Sequence, residues 1–427
     1  MYPNAVNAAE IGPVESGGQT QSVFDLFLIF VGANVVATTF QVGASLASAF
    51  TVRSATLLIL VGSVAGAALV AALAPIGSRL RVPSVIAARP ALGIGGAGLV
   101  AAVLYVSNFA WIALNNVIAA SACSRAVGTQ ALAGAIGSQT SWAIVLGVLA
   151  TAIVWRGPSA VARADRVAVP LLAAVGILLT VACARTIPRV GATPESTMSW
   201  SRGLDVVIGY QVSWILMFAD YSRYTKSARG SAAAVFLGLA LTSAWMMPLG
   251  AIAARAAGSS DPGSMLSAVG LGASGAALLT IATITTNFVN IYMSSLAWKS
   301  LFPGARDGVV VWSIGLIGTA LSAIPGVWLQ QYTNFMVVLG AVLVPVGGVL
   351  LAHYYFSRHD SMDESLIPQL YDPNGRFRGV NAGGLLAWAA GGAVFFAAGS
   401  GGGTVPALLV SIAVYSVLRR FANADIH

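Results

Sequence analysis

Charge is what this sequence has least of. Of its 427 residues only 8% are charged and 57% are hydrophobic, and its mean hydropathy is +0.83. Soluble domains carry roughly 25% charged residues. A chain so poor in charge cannot cover a water-facing surface, which excludes an ordinary soluble domain and leaves lipid as the solvent for most of it. Cysteine is scarce too. Cys123 and Cys183 both sit in apolar segments, so no disulfide framework and no cysteine metal site is expected. Histidine numbers three; His353 and His359 fall at a span end, where a solvated or interfacial position is expected. No Ser/His/Asp set and no phosphate-binding loop falls at membrane depth, so an embedded enzyme is not expected. The net charge of +8 comes from scattered basic residues, not from a block, and points to no nucleic-acid partner. Residues 1–20 contain no Lys or Arg and no apolar core, so no cleavable signal peptide is expected.

What is present is a series of apolar runs. A helical span needs about 20 apolar residues, and twelve fit: about 22–48, 54–77, 95–122, 139–155, 167–184, 203–219, 231–254, 266–298, 308–325, 333–356, 381–399 and 404–419. Backbone groups in lipid must bond within their own segment, and β periodicity is absent, so all are read as helices. With the N-terminus inside, only Arg53, Arg125, Arg185, Arg189, Arg202 and Arg255, of 22 Lys and Arg, fall outside. That bias places both termini in the cytoplasm and the protein in the cell (bacterial inner or plasma) membrane. The expected organisation is an N-terminal tail, 1–21; five helices, 22–184; five more, 203–356; a polar cytoplasmic loop, 357–380; a peripheral pair, 381–419; and a tail, 420–427.

No Lys, Arg, Asp, Glu or His falls near a span centre; Asp25, Asp205, Asp220, Arg255, Lys299 and His353 lie near ends. Charges buried in a membrane mark proton relays and charged-substrate paths, so their absence favours a neutral or weakly charged ligand. Polar residues do occur at mid-depth. The first span, in IFVGANVVATTF, carries Gly32, Asn34, Thr38 and Thr39. The third carries Asn108, Trp111 and Asn115, spaced by three and four and so on one helix face. The sixth carries Gly209, Tyr210, Gln211, Ser213 and Trp214, and the eighth Thr283, Thr285, Thr286, Asn287 and Asn290. Taken singly, such residues have plain explanations: Gly packs helices together, and Asn or Thr bonds across them. Taken together they say more. The first and sixth spans are five apart, and both are interrupted by Gly with polar neighbours. Paired interruptions in corresponding halves point to a transporter with inverted repeats. Gly32–Asn34 is then expected to unwind, exposing N–H and C=O groups to a binding cavity.

Six stretches in order, GANVVATTFQVGA, GSRLRVPSVIAARPALGIGG, FADYSRY, ITTN, LVPVGGVLLAHYY and LYDPNGRFRGVNAGGLLAWAAG, resemble the nucleobase:cation symporter-1 family over residues 22 to 415. That family comprises purine–cytosine, uracil, allantoin, hydantoin and thiamine-precursor permeases. The resemblance implies an all-α integral membrane protein of twelve helices. Its core would be a leucine-transporter-like 5+5 inverted repeat with broken first and sixth helices, and the last two helices would be peripheral. It implies import of a nucleobase or related planar heterocycle by alternating access, with Na⁺ as coupling ion or H⁺ in its place, and no other cofactor. Carried onto this sequence, it makes Trp111 the aromatic that stacks on the ring and Asn115 the amide that bonds it. Asn108 stands where cytosine carriers have Gln. Gly209, Tyr210 and Gln211 would form the sixth-span wall, Trp214 is a second candidate for the aromatic lid, and Asn287 or Asn290 is the eighth-span amide. The sodium ligands would be the carbonyls of Ala33, Val36 and Ala282 and the hydroxyls of Thr285 and Thr286. A passive channel, or a same-fold carrier of an amino acid or amine, remains the alternative. Oligomeric state is not legible.

Overall fold

Ser22 and Asp25 start the first helix. The Ser22 hydroxyl accepts from the Asp25 N–H at 3.1 Å, and the Asp25 carboxylate accepts from the Ser22 N–H at 3.0 Å, a capping box. In the computed structural model, which describes residues 12–15, 17–127, 137–156, 171–172, 174, 176–187, 198–302, 304–356, 362 and 364–424, this helix, α1, runs Val23–Asn34 and is followed by α2, Ala37–Leu46. The two meet at a bend of 56°. Val36 is extended, at φ −138° and ψ 165°, so the ladder is interrupted at Val35–Val36, just after Gly32–Asn34, the stretch expected to unwind, which stays helical. The remaining described helices of seven or more residues are α3 (Val52–Leu80), α4 (Arg89–Val127), α5 (Gln139–Trp155), α6 (Gly176–Thr186), α7 (Trp200–Val212), α8 (Ala228–Ala257), α9 (Pro262–Ala268), α10 (Gly272–Leu301), α11 (Asp307–Leu321), α12 (Tyr332–Leu351), α13 (Ala382–Ala397) and α14 (Thr404–Ala424).

Each of the twelve expected segments carries helix. Six helices (α3, α4, α8, α10, α12 and α14) are long and apolar enough to cross a membrane, and the bent pair α1–α2 makes a seventh; α5, α6, α11 and α13 are apolar but shorter. Among the described residues, length and composition alone therefore identify up to seven spans. Boundaries differ from expectation at four places, the first being α4, expected over 95–122 but running Arg89–Val127. The segment read as one helix over 266–298 is divided: α9 ends at Ala268 and α10 begins at Gly272, with a turn through Gly270 at φ +79°, a conformation glycine adopts without strain. The tail expected from 420 is still helical to Ala424. The sixth-span break falls after Val212, where the chain tightens into a 3₁₀ turn over Ser213–Met217. The α-helix passes unbroken through Gly209, because that glycine serves packing: a Cβ there would lie 2.0 Å from the Met336 carbonyl oxygen of α12.

The same device joins α2 to α8. A Cβ on Gly43 would sit 1.6 Å from the Met247 carbonyl, and one on Gly250 would sit 1.8 Å from the Phe40 carbonyl. Reciprocal glycines let the two backbones touch, the usual basis of helix association in lipid. α4 and α10 run antiparallel: Cys123 meets Thr280 at one end, Thr283 bonds the Asn115 carbonyl, and Tyr105 packs on Trp298 at the other. Buried charges are spent on ends. Asp205 accepts from the N–H groups of Gly403 and Thr404 at the start of α14. Lys299 pairs with Asp307 across the α10–α11 turn. His353 is fully buried instead of solvated, with Nδ1 2.8 Å from the Tyr415 hydroxyl.

Candidate functional site

The break between α1 and α2 opens onto a cavity of about 260 Å³. α1 supplies Leu28, Ile29, Gly32 and Ala33, and Val36 and Thr38 follow the bend. Trp111 and Asn115 come from α4, Tyr210 from α7, and Ser213, Trp214 and Met217 from the 3₁₀ turn, with Tyr221 beyond it. Thr285, Thr286, Val289 and Asn290 come from α10. This size is below the roughly 300–1,000 Å³ usual for drug-sized ligands. The wall is aromatic at Trp111, Tyr210 and Trp214 and polar at a few points.

The aromatic wall is held from behind. Trp111 stands edge-on to Tyr210 at 5.7 Å and 84°, and to Phe335 at 5.2 Å and 70°. Trp214 stands edge-on to Phe30 at 5.3 Å. Such T-shaped pairs fix ring orientation. The Tyr210 hydroxyl lies 2.5 Å from the Thr39 hydroxyl, and the Tyr332 hydroxyl donates to the Thr38 carbonyl at 2.7 Å. α2 is thus tied to α7 and α12 just past its break.

The polar wall is an amide network. Asn115 Nδ2 donates to Asn287 Oδ1 at 3.2 Å, Asn287 Nδ2 to Asn116 Oδ1 at 2.8 Å, and Asn290 Nδ2 to Asn287 Oδ1 at 3.4 Å. Asn115 Oδ1 is buried and has no partner among the described residues. A buried amide oxygen left unpaired is costly; here it lies on a residue that lines the cavity, ready to accept an N–H.

At the break, the Thr39 hydroxyl donates to the Asn34 carbonyl at 2.5 Å. Ala33 and Val36 face the same cavity as Thr285 and Thr286 of α10. Thr286 Oγ1 donates to the Ala282 carbonyl at 2.6 Å, and Thr285 Oγ1 lies 3.1 Å from the carbonyls of Ile281 and Ala282. With their protons turned into their own helix, both hydroxyls keep lone pairs outward. Oxygen-only donors of this kind suit a hard cation.

Of the residues singled out from sequence, Ala33, Val36, Trp111, Asn115, Tyr210, Trp214, Thr285, Thr286 and Asn290 line this one cavity. Asn34, Asn108, Gly209, Gln211, Ala282 and Asn287 do not. Asn34 turns its amide away, donating to Thr242 Oγ1 and Ser243 Oγ, each at 2.7 Å. Gln211 donates to the same Ser243 Oγ at 3.0 Å. Gly209 packs on α12, Asn287 sits behind Asn115 and Asn290, and Asn108 is buried with neither amide atom bonded among the described residues. Sequence reasoning missed Met217 and Tyr221 and gave Ser213 no role. The signal was the stretch SWILMFADY, whose first five residues, Ser213–Met217, wind as a 3₁₀ turn and point different side chains inward than an α-helix would.

A family profile described as permease for cytosine/purines, uracil, thiamine, allantoin matches residues 13–418. The cytosine permease of Escherichia coli (strain K12) is 24% identical over 352 residues, covering 81% of each chain. Among solved structures, an inward-facing conformation of Mhp1 superposes with a TM-score of 0.82 at 18% identity, covering 99% of this chain and 96% of that one. Mhp1, a nucleobase-cation-symport-1 family transporter, in a closed conformation with bromovinylhydantoin bound, gives 0.78 at 17% identity over 98% and 96%. At such identities the likeness is one of fold. The profile spans nearly the whole chain, and on that ground this protein, a membrane transporter and not an enzyme, belongs to the family of permeases for cytosine/purines, uracil, thiamine and allantoin.

Proposed function

We propose that this permease imports one planar, neutral heterocycle, a nucleobase or a hydantoin-like ring, together with Na⁺, across the cell membrane with both termini cytoplasmic. The observation that carries the reading is the cavity at the α1–α2 break. Trp111 and Trp214 offer flat faces, while Asn115 Oδ1 and the Asn290 amide offer edge contacts. Stacking on one aromatic face contributes about 1–3 kcal/mol in other base-binding sites, and the amides reject rings whose edges leave them unpaired. The relatives support the class: one is named a cytosine permease, and another was solved with a hydantoin bound.

The cation reading rests on Ala33 and Val36 facing Thr285 and Thr286 across one cavity. An ion held there bridges α1–α2 to α10. It favours the conformation in which the ring site is formed, and by reciprocity the ring tightens the ion. We take residues 22–184 and 203–356 as the two five-helix repeats, 381–419 as the peripheral pair, and twelve helices as the spanning set. The test is a thermal-shift screen of the purified protein against nucleobases and hydantoins, with Na⁺ or with choline in its place. One ring that stabilises only with Na⁺ is expected. Stabilisation by an amino acid or amine, and by no ring, would overturn the reading.

A further inference from the structure

A second cavity, of about 560 Å³, lies away from the first, between the start of α4, the segment before α13, and α14. Four arginines line it: Arg89, Arg376, Arg378 and Arg419. No Asp or Glu is among its described lining residues. Four guanidinium groups on one cavity make its lining attractive to an anion.

The cavity is built, not incidental. α4 is kinked at Gly93, whose φ of +77° no β-carbon residue adopts easily. A Cβ there would lie 2.7 Å from both the Asn381 N and the Gly379 carbonyl. The kink lets the segment before α13 zip onto α4: Ile94 N–H donates to the Phe377 carbonyl at 2.9 Å, Gly95 N–H to Gly379 at 2.6 Å, and Asn381 N–H to Leu92 at 2.8 Å. Arg376 and Arg378 ride on that anchored segment, and the Arg376 guanidinium rests 4.6 Å above the Phe377 ring. Arg89 Nη1 donates to the Leu370 carbonyl at 2.6 Å, while its buried Nε has no partner among the described residues. Arg419 Nη1 lies 2.9 Å from the Tyr415 hydroxyl and 2.8 Å from His353 Nδ1, both buried side chains. Apart from Asn381 and Tyr415 the remaining wall is apolar, and part of it is open: Val380 is 54% exposed and Leu386 58%. A basic floor beside an exposed apolar flank matches an amphiphile better than a soluble ion.

We propose that this cavity holds the phosphate headgroup of an anionic phospholipid, whose acyl chains run along the Val380–Leu386 flank. The site is independent of which heterocycle is carried. The test uses the full-length protein in a zwitterionic detergent, titrated separately with phosphatidylglycerol, phosphatidylcholine and inorganic phosphate. Melting temperature and lipid adducts in native mass spectrometry are the readouts. Phosphatidylglycerol alone should stabilise. Arg376→Gln with Arg378→Gln, both on exposed residues, should weaken its binding about thirty-fold, from roughly fivefold per cationic group near an anionic surface. Lys226→Gln with Arg229→Gln removes two exposed charges that do not line the cavity and should leave binding within about twofold. Should the first pair not fold, Arg419→Gln read by adduct retention gives the same test. Equal stabilisation by phosphatidylcholine, an equal shift from inorganic phosphate, or equal loss in both double variants would each overturn the proposal.

Discussion

Asn34 and Gln211, one from each interrupted helix, donate to a single acceptor: Ser243 Oγ of α8 receives their side-chain amides at 2.7 and 3.0 Å. A hydroxyl oxygen has two acceptor lone pairs, and here both are used. The two residues that look most like ligand-binding amides in the sequence therefore brace the scaffold. They hold the ends of α1 and α7 at a fixed separation, while the neighbouring Gly32, Ala33, Ser213 and Trp214 face the cavity.

Ser243→Ala tests that brace. An average interhelical hydrogen bond in a membrane contributes about 0.6 kcal/mol. Without that oxygen Gln211 Nε2 keeps only the Leu239 carbonyl at 3.5 Å, while Asn34 Nδ2 retains Thr242 Oγ1; a buried donor so poorly paired costs more, about 1–3 kcal/mol. A lowered melting temperature with weaker ring binding is expected. Asn34→Ala and Gln211→Ala should not add to it fully, because all three act through one oxygen. Full additivity in the double mutants would show that the shared acceptor carries nothing.

The mid-depth residues explain how far the sequence could be read. Hydropathy gave the helical segments because lipid leaves the backbone no other solution. The α1 break was legible from Gly32 and Asn34 to within a turn, but it falls just after them, at Val35–Val36. The sixth-span break was placed one turn too early: Gly209 looks like a breaker in one dimension but meets the α12 backbone in three. Trp111 and Asn115 were legible from their spacing on one face. Asn108 shares that face yet lies outside the cavity, because α4 is long and only part of it faces the α1–α2 break. Facing direction, unlike residue type, depends on partners distant in sequence.

Gly32 and Gly209 are therefore expected to respond in opposite ways. A Cβ on Gly32 meets nothing within 4 Å, and the residue lines the cavity. Gly32→Leu should insert and melt as the wild type does, yet lose uptake as its side chain fills the ring site. Gly209→Leu forces atoms into the Met336 carbonyl, an overpacking that costs about 1–3 kcal/mol or more, and should cut the folded yield. Membrane abundance and uptake measured side by side separate the two. Normal uptake in Gly32→Leu would move the substrate elsewhere.

Thr286→Ala probes the ion. The variant loses one outward lone pair at a part-buried position and should raise the Na⁺ concentration needed for half-maximal uptake by about tenfold, the loss of roughly 1.4 kcal/mol. Ring binding at saturating Na⁺ should be little changed. Uptake that ignores Na⁺ in both proteins, while following a proton gradient, would assign the coupling to H⁺.

Trp111 carries the sharpest expectation. Truncating an aromatic that stacks on a base costs about 1–3 kcal/mol, or about five- to 150-fold in affinity. Trp111→Ala also removes the edge contacts that steady Tyr210 and Phe335, so its loss alone could reflect a slackened wall. Trp111→Phe separates the two effects: it keeps an aromatic face and a smaller edge, and should retain measurable, weaker binding. Asn115→Leu completes the set by removing the unpartnered Oδ1 while filling similar space. It should lower affinity for the best ring more than for its near-isosteres, and so flatten discrimination. If Trp111→Ala transports at the wild-type rate from an equal amount of protein in the membrane, the ring does not stack there, and the proposed site fails with it.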